Sequence, residues 1–178
     1  MEQTTDAPFA VCFSGHRPEK LPAGTLLHIL QSLVYTEIRI AVMQGADRFY
    51  CGMAQGTDLF AADVVLAFRR THPNLRLIAV RPFPAQGAGL TGDALYHYRA
   101  VLHEADEIVT VCPSFSKDAF RRRNLYMVSH AQRLIALLTD PRSGTGQTVR
   151  MAERMGLDVR RISPECAAYH KPEHRFFR

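Results

Sequence analysis

The residues best equipped for chemistry follow an apolar run. "FAVCFS" (9–14) stops on Ser14, and Gly15, His16, Arg17 and Pro18 come next. A strand ending there sets an imidazole and a guanidinium side by side on a turn. Arg17 can grip a phosphate or carboxylate in bidentate fashion. His16 can donate to the same anion or transfer a proton near neutral pH. A plainer reading stays open, with Arg17 in a surface ion pair and His16 capping a turn.

Two further stretches share this character. One runs Gly52-Met53-Ala54-Gln55-Gly56-Thr57-Asp58, the other Asp140-Pro141-Arg142-Ser143-Gly144-Thr145-Gly146-Gln147-Thr148. Both lead from an apolar run into a helical pattern. A helix start preceded by glycine offers free backbone N–H groups to an anion. Asp58 in the first turn would repel a phosphate. It suits ribose hydroxyls, the activation of a water, or the capping of its own helix. The turn at 144–148 carries no acid, so a phosphate is expected there, against Gly144, Thr145, Gly146, Gln147 and Thr148. Asn124, after the run Arg121-Arg122-Arg123, can read a base or a sugar. Arg121 and Arg122 equally suit a solvated helix face.

These turns need a frame that brings them together. Apolar runs read as strands at 9–14, 48–52, 76–83, 107–112, 133–140 and 157–162. Helical spacing appears at 24–43, 57–70, 94–105, 120–131 and 145–156. Apolar strands alternating with helices predict a parallel sheet covered on both faces. In such sheets ligands bind outside the carboxyl ends of the strands, where these turns lie. Residues 84–93, "PAQGAGLTGD", form a Gly-rich loop of a length often functional.

The 178 residues favour one domain, expected over 9–163, between a flexible N-terminus (1–8) and a basic tail (164–178). Cys12, Cys51, Cys112 and Cys166 form no C-x-x-C pair, so a metal site is not expected and buried reduced thiols are. No apolar stretch approaches the roughly 20 residues that cross a bilayer, and no membrane partner is expected. "MEQTTDAP" is unlike a signal peptide, so a cytoplasmic location is expected. The net charge of +5 permits nucleic-acid contact without demanding it. A basic patch interleaved with aromatics, as single-strand binders use, is missing.

Five motifs in order, "SGHRP-x-KLP", "GMAQGTDLFAAD", "VRPFPAQ", "RRNLYMVSHAQRLIALL" and "SGTGQTVRMAERMGLDV", resemble the YpsA-like family of the SLOG superfamily over residues 9 to 163. That superfamily also holds the LOG-type phosphoribohydrolases and the DNA-processing protein DprA. The resemblance implies a Rossmann-like α/β/α sandwich with a mostly parallel sheet and a nucleotide-type ligand in the crevice. Ser14, Gly15, His16 and Arg17 carry over as the first ligand loop, Gly52, Gly56 and Asp58 as the second, and Gly144 and Thr145 as the phosphate-facing turn.

The LOG-type motif P-G-G-x-G-T-x-x-E has a catalytic glutamate, and Thr148 stands at its position here. Asp140, Pro141 and Arg142 replace P-G-G, so LOG chemistry does not transfer as it stands. An aromatic that the family carries after "PF-x-x-Q" is replaced by "GAGLTGD". Three functions follow as expectations. One is a binder of an NAD derivative, ADP-ribose or a nucleoside phosphate that also cleaves an N-glycosidic or phosphoester bond, with Asp58 and His16 catalytic. The second is a non-catalytic nucleotide sensor, and the third a DprA-like nucleic-acid binder. Self-association into a homo-oligomer is compatible with each.

Overall fold

A computed structural model of the chain describes residues 9–168. The flexible N-terminus expected at 1–8 and the tail residues 169–178 lie outside the described residues. Strands and helices alternate: β1 (Phe9–Gly15), α1 (Gly24–Met43), β2 (Ala46–Cys51), α2 (Thr57–Arg69), β3 (Arg76–Arg81) and α3 (Gly92–Glu104). Then follow β4 (Glu107–Thr110), α4 (Ala119–Ser129), β5 (Arg133–Leu137), α5 (Gly144–Arg154), β6 (Asp158–Ile162) and α6 (Pro164–Ala168). The segment expected as a tail thus begins with a short helix, which lies against α1.

All strand pairs are parallel, in the order β4-β3-β2-β1-β5-β6. Successive side chains of a strand point to opposite faces. Val11 and Phe13 therefore enter one core with residues of α1 and α2, such as Leu30, Val34, Leu59 and Val65. Ala10 and Cys12 enter the other, with Met127 and Val128 of α4 and Val149 and Ala152 of α5. The result is a three-layer α/β/α sandwich of Rossmann-like type.

By length and composition α1 could cross a membrane, which corrects the expectation that no stretch comes close. His28, Glu37 and Arg39 break its apolar run in the sequence. In the fold Leu30, Val34, Ile38, Ala41 and Val42 form its buried stripe, the pattern of an amphipathic helix on a core.

The chain winds outward from β1 to β4, then returns to place β5 on the other side of β1. This reversal makes a topological switch point, where the loops after β1 and β5 diverge to opposite faces and leave a crevice. Gly15 and Leu137 are paired at that edge.

Candidate functional site

The loop after β1 and the start of α2 are fastened together. The Thr57 N–H and Oγ1 donate to the His16 carbonyl at 3.3 and 3.2 Å. Gly56, with φ of 88°, opens α2 directly beneath that carbonyl, and a Cβ there would sit 2.6 Å from the oxygen. His16 reaches across the switch point, where its Nε2 accepts the Thr139 N–H at 3.0 Å. The neutral ring then carries its proton on Nδ1. Burial pushes the His16 pKa down, nearby Lys20 lowers it further, and Asp140 opposes both. His16 therefore clamps the two loops that form the crevice.

Asp58 does not cap its own helix; the N-cap is Gly56. Its Oδ2 accepts the Ala54 N–H at 3.3 Å and faces Arg123 Nη1 at 3.8 Å. Both side chains are buried, at 4% and 6% exposure, although arginine and aspartate are almost never buried unpaired. Burial raises the Asp58 carboxyl, while the Arg123 charge and the Ala54 N–H pull it back. Arg123 also donates through Nη1 to the Gly52 carbonyl and through Nε to Asn124 Oδ1 at 2.8 Å. A side chain at Gly52 would overlap the Arg123 guanidinium and come within 2.8 Å of Asp58 Oδ2, so only glycine fits.

The next residue, Met53, is buried with φ of 58°, the left-handed region that side chains rarely adopt. Gln86 Nε2 holds this turn by donating to the carbonyls of Gly52 and Met53 at 3.1 and 3.3 Å. The Gly-rich loop thus braces the end of β2.

The helix start at α5 is more engaged than its sequence suggests. Ser143 is the N-cap, and its Oγ accepts the Gly146 N–H at 3.2 Å. The Thr148 hydroxyl donates to the Gly144 carbonyl at 3.0 Å and accepts from Asn124 Nδ2 at 2.9 Å. Gly146 and Thr148 are therefore occupied within the fold, and Asn124 ties α4 to α5. The N–H groups of Gly144 and Thr145 differ: among the described residues neither has a hydrogen-bond partner.

Ser14, Gly15, His16, Arg17, Asp58, Asn124, Gly144 and Thr145 converge on one cleft of about 310 Å³. Gly52 and Gly56 do not line it; they hold the residues that do. Arg17 has no acid within 4.0 Å among the described residues, and its guanidinium lies over the Phe120 ring, 5.9 Å from the centroid. The surface-ion-pair alternative for Arg17 is therefore not realised.

Beyond Arg17 and Phe120 the cleft continues into an annex of about 190 Å³ walled by Phe83, Phe120 and Tyr98. The rings of Phe83 and Phe120 meet edge to face at 5.7 Å. Aromatic surface thus comes from elements other than the loop where the family pattern places it. Among the described residues no cluster of His, Cys, Asp or Glu could hold a metal ion.

Sequence reasoning does not single out Arg123, Phe120 or Phe83. Arg123 does carry a signal: it falls at helical spacing between Ala119 and Met127, which are both buried. A charge in a buried stripe implies a buried partner, and Asp58 is that partner.

Residues 11–160 match the model of the YpsA family, described as the YspA SLOG family. The chain is 26% identical over 155 residues to an uncharacterised SPbeta prophage-derived protein, YoqJ, of Bacillus subtilis, covering 79% of this chain and 91% of that protein. It is 23% identical over 167 residues to a UPF0398 protein of Halalkalibacterium halodurans, covering 86% and 87%. Among solved structures it resembles DNA processing protein A of Helicobacter pylori, known there with its single-stranded DNA binding mode. The TM-score is 0.61 at 18% identity, covering 92% of this chain and 72% of that one. The Moco carrier protein of Chlamydomonas rheinhardtii aligns with a TM-score of 0.51 at 15% identity, covering 92% and 83%. At these identities the likeness to solved structures is one of fold.

Proposed function

The chain belongs to the YpsA family of SLOG proteins, and from that footing we propose that the crevice between β1 and β5 binds a nucleotide or nucleotide derivative. One observation carries this reading. The N–H groups of Gly144 and Thr145, free among the described residues, line the same cleft as Arg17 and Lys20, which among those residues have no acid within 4.0 Å. Aligned N–H groups at a helix start and a guanidinium make an anion site selective for phosphate geometry.

The other groups fall into place around a phosphate held there. Asp58, fixed by Arg123 and Ala54, accepts hydrogen bonds from ribose hydroxyls. The aromatic annex, walled by the half-buried rings of Phe83 and Phe120, takes a planar base. Nucleoside phosphates, ADP-ribose and NAD derivatives share these parts. Buried free thiols at Cys12, Cys51 and Cys112 support a reducing, cytoplasmic setting.

A second reading adds bond cleavage, and Asp58 favours it. A carboxyl raised by burial in a ligand cleft is a natural proton carrier. Thr148, at the position of the LOG glutamate, has no carboxylate and is bound to Asn124 and Gly144, which argues for binding over turnover.

The test is equilibrium titration of AMP and ADP-ribose into the wild type and Arg17→Ala. The expected result is binding that weakens about tenfold or more in the variant, the scale of one charge-assisted hydrogen bond. Equal affinity in both proteins would remove Arg17 from the site.

A further inference from the structure

The cleft does not end at α5. At Phe120, Asn124 and Gly144 it opens into a groove of about 500 Å³ between α4 and α5. Lys117 and Arg121 stand on one wall, Arg150 and Arg154 on the other. Among the described residues no acid lines this groove and none of these cations has an acid within 4.0 Å, although Asp118 at the start of α4 feels the Arg121 charge, Arg150 donates to the Pro141 carbonyl and Arg154 to the Arg150 carbonyl.

Unpaired like charges facing one another raise the free energy of the empty groove. They persist at little cost only because they are solvated, and an anion laid between them relieves the repulsion. Between the cations the lining also offers apolar Leu125 and Met151 and polar Gln147 and Thr148. Such a surface suits a sugar and base between phosphates better than a simple inorganic ion.

The dimensions limit the occupant. From Gly144 to Arg154 a helix advances roughly 15 Å, further than the phosphate of one nucleotide extends. Among the described residues the row of cations lining the groove stops at Arg154. On the same turn Glu153 pairs with Arg161, so among the described residues no unpaired positive track continues in that direction. The volume lies within the range of small-molecule pockets, about 300–1,000 Å³.

Resting on the nucleotide reading of the crevice, we propose that the ligand is a linear dinucleotide. Its first nucleotide fills the crevice and annex, and its second lies along the α4–α5 groove with its phosphodiester between the facing cations. Phe120 borders all three spaces and marks the junction between the two nucleotides.

Calorimetric titration of the full chain tests this with AMP, linear diadenylate (pApA) and hexa-adenylate, at two salt concentrations. The variant is Arg121→Glu with Arg154→Glu, both exposed residues outside the crevice. Diadenylate is expected to bind the wild type about tenfold or more tightly than AMP, by a margin that shrinks with salt. The double variant is expected to lose that margin and keep its affinity for AMP. Equal affinity for AMP and diadenylate in the wild type would overturn the dinucleotide while leaving the crevice reading intact. A further tenfold gain for hexa-adenylate, about 1.4 kcal/mol, would overturn it in favour of a nucleic-acid strand. Binding of none of these probes would sink the crevice reading and the dinucleotide with it.

Discussion

The Asp58–Arg123 pair decides more about this crevice than any residue on its surface. Each charge is buried, so each depends on the other; removing one partner of such a pair costs about 3–5 kcal/mol. Arg123→Met is therefore expected to lower stability by about 3 kcal/mol or more in urea unfolding. Asp58→Asn added to it should recover most of the loss, because no uncompensated charge remains. A loss under about 1 kcal/mol would mean that solvent reaches the pair. His16 gives a different signature. Its folded pKa lies below the unfolded value of 6.5, so the unfolded chain binds a proton more readily. Its contribution is complete above pH 6.5 and is lost as pH falls through the folded pKa, where protonation removes the acceptor for Thr139. The melting temperature should therefore fall from about pH 7 to pH 5. The fall should be shallower in His16→Gln, whose amide oxygen can still accept. Parallel curves would show that His16 does not titrate with folding. The imidazole at this turn was legible in the sequence. Its partner was not, because Thr139 is 123 residues away.

The start of α5 separates helix stability from ligand binding. Gly144 is exposed, and a side chain there would meet nothing within 4 Å. An acid in the first turn favours the helix dipole by a few tenths of a kcal/mol up to ~1 kcal/mol, yet it repels a phosphate placed at the same N–H groups. Gly144→Asp is thus expected to melt no lower than the wild type and to lose nucleotide binding about tenfold or more. Retained affinity, measured by the same titration, would move the phosphate elsewhere in the cleft. The helix start itself could be read from the glycines and the absence of acid. The Ser143 cap and the Asn124–Thr148 bond could not. They depend on how α5 packs beside α4, and that packing decides which donors are free.

At the scale of the whole molecule, the alternation of strands and helices was legible because the inner strands, such as β1 and β5, are buried on both faces and the helices on one. The strand order was not. Local periodicity says nothing of which neighbour a strand selects, and the crevice exists only because β5 returns to the far side of β1. The same limit hid α6, five residues long, and the burial of Arg123 inside a run that reads as a basic surface. The turns named from sequence converge because parallel strands deliver all their carboxyl ends to one edge. The most direct measurement is a titration of nitrogen-15-labelled protein with AMP and ADP-ribose, followed by backbone amide resonances. A phosphate held at the start of α5 shifts the Gly144 and Thr145 amides with a saturable dependence on ligand, together with residues of the β1 loop such as Gly15 and Arg17. Saturable binding that leaves those two helix-start amides unmoved would contradict it, as would the absence of any shift in the crevice.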